Sequence, residues 1–163
     1  MESLNDHILE YVHQLKQGHI QKAYKGIMTF MAGLKLYLEK NYPDYFSSAL
    51  YFGYMDMSYF AFTPMDLKQK KLKIAIIYLH EQSRFEVWLG GSNRKVQAKY
   101  IELLSRVNIG NKFRLSQVQP GIDSIIEMTL VQQPDFDDRQ ALMEQIELGI
   151  IAFVSHARSL LSD

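Results

Sequence analysis

The spacing of apolar residues predicts two helices in the first quarter of the chain. Apolar side chains recur at three- and four-residue steps over residues 4–15 and again over residues 20–38, which is the period of an amphipathic helix. Gly18 is placed to end the first helix in a left-handed conformation. Pro43 ends the second helix, because the residue before a proline is pushed out of helical geometry.

The pattern then changes to one typical of a β-strand. Leu50–Phe62 combines alternation with a high aromatic content, and it predicts a strand with Asp56, its single carboxylate, at the centre. A carboxylate among apolar side chains needs either a hydrogen-bonding partner or a chemical role. Thr63 and Pro64 close this strand, and Met65–Lys71 is a basic connector with room for one helical turn.

The next two segments predict a β-hairpin. Leu72–Leu79 is rich in β-forming residues, and Arg84–Leu89 alternates strictly between apolar and polar side chains, with His80–Ser83 as the turn. The alternation gives the second strand an apolar face and a polar face, which carry Phe85, Val87 and Leu89 and, on the other side, Arg84, Glu86 and Trp88.

A third helix, a fourth strand and a last helix complete the chain. Four apolar residues lie along one side of the third helix: Val96, Tyr100, Leu103 and Val107. Ser124–Val131 predicts a strand, and the acids of Pro134–Asp138 suit the positive end of the helix dipole at the start of the last helix.

This order, ααβββαβα, indicates an α+β fold. Three successive strands with short connections favour an antiparallel meander, to which the fourth strand is added, and the flanking helices are expected to cover it. The length of 163 residues fits a single globular domain over residues 1–163.

Composition narrows the classes of function. Eighteen basic and eighteen acidic residues give zero formal net charge, which argues against a general nucleic-acid binder. The chain has no cysteine, which excludes disulfides, thiolate metal sites and cysteine nucleophiles. Neither a signal peptide nor an apolar run near the roughly 18 residues of a membrane helix is present. We therefore expect a soluble, cytoplasmic protein without membrane contact.

Several segments carry a resemblance to a known family. Residues 21–26, Leu50–Phe62, Lys70–Leu89 and Pro134–Asp138 resemble an uncharacterised family of bacterial proteins, and the resemblance spans most of the chain. That family has no established activity, so the resemblance implies no functional residue.

One candidate site is a group of polar side chains on the sheet. A histidine with carboxylates can perform acid–base chemistry, and tyrosine, arginine and tryptophan can line a ligand pocket. The candidate catalytic residues are Asp56, His80, Glu81 and Glu86, and the candidate ligand-binding residues are Tyr54, Arg84 and Trp88. The alternative is a structural role, in which Glu86 or Glu81 pairs with Arg84 across strands and Trp88 packs over an aliphatic neighbour.

A second candidate is the loop between the hairpin and the third helix. Glycines allow a backbone to approach an anion closely, and the N–H groups at a helix N-terminus point at it. The candidate anion-binding residues are Gly90, Gly91, Ser92, Asn93 and Arg94. The alternative is a simple turn in which Ser92 or Asn93 caps the helix.

The strand order also invites comparison with restriction-endonuclease-like nucleases. Their metal site needs an acid-any-lysine triplet, for which the comparable residues are Glu86-Val87-Trp88, and tryptophan cannot supply the cation. An intact metal site is therefore not expected, and a degenerate relative without metal is kept as an alternative. The histidines at positions 7, 13 and 19 are six residues apart and turn to different sides of a helix, so they do not predict a metal site.

These observations favour a non-enzymatic binding or interaction module with an aromatic-rich sheet surface. Tyr and Trp combine apolar bulk with a polar tip and are common at interfaces, so the expected partner is a small ligand, another protein or a second copy of the chain. The alternative is an enzyme with an acid–base pocket on the sheet. No cofactor is expected, because neither the Walker spacing nor the dinucleotide-binding pattern is present.

Overall fold

Residues 2–162, the part of the chain that the computed structural model describes, form five helices and one six-stranded sheet. The helices are α1 (Leu4–Gln17), α2 (His19–Asn41), α3 (Met65–Gln69), α4 (Arg94–Ser105) and α5 (Arg139–Leu161). The strands are β1 (Tyr45–Ser47), β2 (Met57–Pro64), β3 (Leu72–Leu79), β4 (Arg84–Gly91), β5 (Phe113–Leu115) and β6 (Ser124–Gln132). The fold is α+β, as the sequence predicts.

The sheet is antiparallel throughout, with the strand order β1-β2-β3-β4-β6-β5. Strands β2, β3 and β4 form the predicted meander, and β6 pairs with β4 as the added strand. Strands β4 and β5 both flank β6, so they run parallel to each other and α4 connects them. Each of β1 and β5 is an edge strand of three residues.

The two faces of the sheet differ in burial. One, the inner face, carries fully buried apolar side chains such as Phe60, Ile76 and Val87, which join residues of α2, α4 and α5 in one hydrophobic cluster. The opposite face, the outer face, carries Tyr59, Ala61, Ala75, Ile77, Arg84, Glu86, Trp88 and Glu127. Several of these side chains are only partly buried, so this face remains open to solvent in places.

The first helix ends as predicted but buries nothing. Gly18 closes α1 with φ +83°, a backbone conformation that glycine adopts without steric cost. At the other end, Ser3 and Asp6 form a reciprocal capping box. No residue of α1 is buried within the described chain, and Leu4 and Tyr11 are 73% and 60% exposed.

The predicted strand over Leu50–Phe62 is wrong in its first half. Strand β2 starts at Met57, and residues 50–56 form a loop that returns alongside β2 through a single bridge between Tyr51 and Tyr59. Gly53 (φ +74°) and Met55 (φ +65°) turn the chain back. Asp56 therefore lies before the strand and not at its centre. Alternation misleads here because a loop that folds back can carry the same aromatic pattern as a strand: the Tyr51 ring packs on Tyr59, whereas Phe52 and Tyr54 are exposed.

Two further predictions need correction. In α4, Gln97, Tyr100 and Leu104 are the buried residues, whereas Leu103 and Val107 of the predicted stripe are 41% and 46% exposed. The helix thus packs through a face rotated from the apolar stripe, because a glutamine takes one of its core positions. Strands β1 and β5 were not predicted, since three residues are too few to show a period.

The acidic segment precedes the last helix and does not form its first turn. Helix α5 starts at Arg139, and the Asp138 side chain accepts a hydrogen bond from the Ala141 backbone N–H at its N-terminus. The acids therefore cap the helix from outside. The predicted connector over Met65–Lys71 contains one short helix, α3, which agrees with the room for a helical turn expected there.

Candidate functional site

The polar face of β4 lies at the centre of the outer face. Glu86 is opposite Ile77 of β3 and Thr129 of β6, and Trp88 is opposite Ala75 and Glu127. The pleat therefore presents Arg84, Glu86 and Trp88 on one surface, as the alternation predicts.

Glu86 is a buried carboxylate with three donors. It is 1% exposed and accepts hydrogen bonds from the guanidinium groups of Arg84 and Arg114 and, at 2.7 Å, from the indole Nε1–H of Trp88. Two cations and an indole offset the cost of removing the carboxylate from water. Three of its roughly four lone-pair sites accept from protein donors, so Glu86 holds the site together.

Trp88 borders a pocket on the outer face, which we call the outer-face pocket. Its volume is about 570 Å³, in the range of about 300–1,000 Å³ that small-molecule sites occupy. Its floor is apolar and consists of Met57, Tyr59, Ala75, Ile77 and Trp88. Its walls are polar and include Gly91, Ser92, Asn93, Arg94, Gln97, Lys73, Asp123 and Glu127. The structure thus brings Trp88 together with four residues of the candidate anion loop.

Two backbone N–H groups of that loop already donate to the protein. Gly91 N–H donates to the Asp123 carbonyl at 3.1 Å, and Ser92 N–H donates to the Lys71 carbonyl at 2.9 Å. Asn93 caps α4 by accepting from Val96 N–H at 2.9 Å, which is the alternative that the sequence left open. The loop is a capped turn in which the N–H groups of Gly91 and Ser92 are not available to an anion.

Close packing explains Gly91. A Cβ atom at this position would lie 2.7 Å from the backbone nitrogen of Gln97 and 3.0 Å from its Cα. The end of β4 can therefore approach the first turn of α4 only if residue 91 lacks a side chain. Gly90 has a milder constraint, with the Asp123 carbonyl oxygen at 3.2 Å.

Gln97 is a pocket residue that sequence reasoning missed. It is 1% exposed, and its amide nitrogen donates to the carbonyls of Ile122 and Ser124 at 3.0 Å each. Its amide oxygen is buried and has no hydrogen-bond partner among residues 2–162. The available signal was its spacing, because it lies three residues before Tyr100 on the helix.

The other predicted acid–base residues, Asp56, His80 and Glu81, lie at the end of the meander that is far from Gly91 and the start of α4. His80 follows β3, Asp56 precedes β2, and the His80 backbone N–H donates to the Asp56 carbonyl at 3.0 Å. The ring of His80 lies 2.8 Å from Ser58 Oγ, through Nε2. Glu81 is exposed in the turn. Asp56 and His80 are thus brought together, whereas Glu86 belongs to the centre of the sheet.

Ser58 and His80 do not form a nucleophile and base. Ser58 Oγ lies within hydrogen-bond distance of both the Phe52 carbonyl oxygen and His80 Nε2, and Ser58 is fully buried. A nucleophile must be reached by its substrate, and a fully buried hydroxyl is not within reach. These bonds tie the loop over residues 50–56 to the end of β3.

The pKa values of Asp56 and His80, at this end of the sheet, are both lowered. Backbone N–H donors, first that of Tyr54, lower the pKa of Asp56, and the neighbouring His80 adds to this shift. Burial lowers the pKa of His80, and the Asp56 carboxylate partly opposes that shift. Asp56 therefore organises the loop backbone as a carboxylate. Tyr54, 90% exposed at the loop tip, does not line the outer-face pocket.

A second groove of about 760 Å³ lies between α2 and the start of α5. Its lining includes Phe30, Tyr78 and Phe136, whose rings pack on one another or on Phe85, and the Tyr78 hydroxyl is paired with Ser83 at 3.0 Å. Its cations, Lys22, Lys25 and Arg139, are exposed. None of the described residues that line this groove has a buried side-chain acceptor without a partner, such as Gln97 Oε1 in the outer-face pocket.

Residues 2–162 contain no group of three His, Asp or Glu side chains arranged to hold a metal ion. Within the same residues, no helix is both long and apolar enough for a membrane crossing.

The fold and site define an α+β domain with a pocket on the open face of an antiparallel sheet. The chain belongs to the family of the domain of unknown function DUF7000, whose model matches residues 4–161. No curated protein and no solved structure matches the chain.

Proposed function

We propose that the chain is a non-enzymatic binding module that takes a small ligand in the outer-face pocket. The observation that carries this proposal is the combination of an apolar floor, a polar wall and an anchored tryptophan in one cleft of about 570 Å³. Mostly apolar pockets with a few fixed polar groups are the usual form of small-molecule sites.

Preorganisation supports the choice of Trp88 as the main contact. Its indole is held by Glu86, which is held in turn by Arg84 and Arg114. A side chain that is fixed before binding loses little conformational entropy when a ligand arrives, so more of the contact energy appears as affinity.

The enzyme alternative has less support. Glu86 accepts from three donors, and Ser58 is fully buried. A general base must reach the proton that it removes, and the buried Glu86 carboxylate is held by its donors. The Glu86 carboxylate is directed at arginines, which is compatible with the degenerate-nuclease alternative but does not support it.

Trp88 makes the proposal directly testable, because it is the chain's single tryptophan. Its fluorescence reports on the pocket during titration with a library of small metabolites, and thermal shift provides an independent readout. We expect at least one compound to change both signals. We also expect Trp88→Ala to weaken its affinity at least about tenfold, or about 1.4 kcal/mol.

Tyr54→Ala is the matched control, since it removes an exposed aromatic ring away from the pocket. Trp88→Phe keeps an aromatic ring in case the alanine variant is too unstable to assay. A library without a single binder, or a binder whose affinity is the same in wild type, Trp88→Ala and Trp88→Phe, would rule the pocket out.

For the expected second copy of the chain, we propose α1 as the contact surface. Its apolar side chains, including Leu4, Ile8 and Tyr11, are exposed, and a helix of 14 residues is marginally stable in water without packing. Acids lie before and in its N-terminal part (Glu2, Asp6, Glu10), and basic residues follow in and after its C-terminal part (Lys16, Lys22). This distribution is complementary to itself when two copies pair antiparallel.

Sedimentation velocity over a range of concentrations tests this contact. We expect a monomer–dimer equilibrium that Ile8→Glu shifts to monomer at every concentration. Leu148→Glu is the control, because Leu148 is also exposed (71%) but lies on α5. A wild-type chain that stays monomeric would disprove the pairing and leave the proposal for the pocket intact.

A further inference from the structure

The outer-face pocket has a buried hydrogen-bond acceptor without a donor. Both N–H groups of the Gln97 amide are directed at the carbonyls of Ile122 and Ser124, which fixes the orientation of the amide. Its oxygen is then the atom left without a partner among the described residues. A buried polar atom without a partner is unfavourable, so a ligand that supplies a donor gains from it.

A second acceptor lies beside Trp88. The Glu127 carboxylate accepts from the Ser124 hydroxyl at 2.7 Å, and its other oxygen is 3.5 Å from the nearest Arg114 nitrogen, which is long for a hydrogen bond. Arg114 is also directed at Glu86 and Thr129. Glu127 therefore keeps acceptor capacity for a ligand, and it pairs directly with Trp88 in the sheet.

Several donors of the pocket already have partners. Lys73 forms an ion pair with Asp123, and the guanidinium of Arg94 donates to the Gln119 carbonyl. The N–H groups of Gly91 and Ser92 bond to backbone carbonyls. The four charged residues of the lining, Lys73, Arg94, Asp123 and Glu127, sum to zero, so no net positive charge attracts an anion.

We infer that the ligand is a small organic cation, a protonated amine or amidine on a flat apolar body. Its N–H groups donate to Glu127 and, once a small shift of the pocket wall uncovers that buried atom, to Gln97 Oε1. Its charge lies against the indole of Trp88, where cation–π attraction adds to binding. Its apolar body covers Tyr59 and Ile77 on the floor. This inference rests on the proposed function and replaces the anion expected at Gly90–Arg94.

Three compounds with one skeleton test the ligand class: 3-phenylpropylamine, 3-phenylpropanol and 3-phenylpropionic acid. Binding is followed by Trp88 fluorescence and by the NMR signals of the Trp88 indole and the Gln97 side-chain amide. We expect the amine to bind at least about tenfold more tightly than the alcohol or the acid, and to shift both NMR signals.

The variant Glu127→Gln separates charge from shape. We expect it to lower the affinity for the amine about tenfold and leave the affinity for the alcohol unchanged. Glu81→Gln, at an exposed acid in the β3–β4 turn, is the control and should change neither. If Glu127→Gln unfolds, the effect of salt on binding to the wild-type chain replaces this test. We then expect the affinity for the amine to fall as salt increases and the affinity for the alcohol to stay the same.

The outcomes separate the two proposals. Tighter binding of the acid, or equal binding of all three compounds at Trp88, overturns the cation and keeps the binding module. If none of the three perturbs Trp88 while another library compound does, the cation is likewise overturned. If no compound of any class perturbs Trp88, the proposed function fails with it.

Discussion

Glu86 shows how one residue can organise a surface. Four side chains of the outer face, Arg84, Glu86, Trp88 and Arg114, form one hydrogen-bonded group around its carboxylate. The sequence predicted that Arg84, Glu86 and Trp88 share a face, and it offered pairing of Glu86 with Arg84 as the structural alternative. Arg114 was not predicted, because it is 28 residues away on an edge strand too short to show a period.

Replacing Glu86 with Gln is expected to destabilise the fold. The amide keeps the shape of the side chain but removes the counter-charge of Arg84 and the nearer of the two carboxylates that face Arg114. Breaking a fully buried ion pair costs about 3–5 kcal/mol, and because both arginines are partly exposed we expect about 2–3 kcal/mol here. Urea unfolding measures the change. The control Glu81→Gln, at an exposed position, should stay within about 0.5 kcal/mol of wild type.

His80 is expected to make stability depend on pH. Burial lowers its pKa in the folded state, so the unfolded chain binds a proton more readily. Its contribution to stability is therefore complete above the unfolded pKa of about 6.5, and it is lost as the pH falls from there through the folded-state pKa.

The free energy of unfolding, measured in urea at about pH 7.5 and about pH 5.5, tests this dependence. His80→Gln keeps a side-chain N–H near Ser58 but cannot titrate in this range. We expect the difference in stability between the two pH values to be smaller in the variant than in wild type. Equal differences would show that His80 does not carry the dependence.

At the scale of elements, the predictions that were confirmed are those in which residues of one segment determine the conformation of that segment. Gly18 ends α1, Pro43 follows the end of α2, and the hairpin of β3 and β4 has its predicted turn. The strand over Leu50–Phe62 failed, because Gly53 and Met55 adopt positive φ and fold the segment back on itself. Aromatic alternation cannot distinguish a strand from a loop that returns along a strand.

At Gly91, the close approach of α4 to the end of β4 leaves no room for a side chain. Gly91→Ala places a Cβ atom 2.7 Å from a backbone nitrogen of α4, which cannot yield as a flexible side chain would. We expect a loss of about 1–3 kcal/mol in urea unfolding, the usual cost of overpacking.

Gly26→Ala is the matched control for this change. Gly26 lies inside α2, and a Cβ atom there meets nothing within 4 Å. Helix propensity predicts a gain of about 0.5–1 kcal/mol for alanine at such a site. The packing explanation for Gly91 is wrong if both variants change stability in the same direction by similar amounts.

At the scale of the whole molecule, the strands and the helices α2, α4 and α5 share one hydrophobic cluster. A domain with one such cluster unfolds as a unit, and this applies to the single domain proposed for the chain. We expect urea unfolding followed by Trp88 fluorescence and by far-ultraviolet circular dichroism to give coincident transitions. Separate midpoints for the two probes would show two cooperative units.

Helix α1 is the expected exception, because none of its residues is buried. Hydrogen exchange should find its amides the least protected of any helix in the monomer, since local opening there breaks no core contact. Protection of α1 that rises with protein concentration would instead report the proposed pairing of two copies.

The sequence by itself determined the types of most elements, the α+β class and the two faces of β4, because the backbone period decides where neighbouring side chains point. Only the tertiary structure decided which distant groups meet: Arg114 with Glu86, and Gln97 with the carbonyl of Ser124. Those contacts depend on strand register and on the rotation of α4 against the sheet. The pattern within a single segment specifies neither of them.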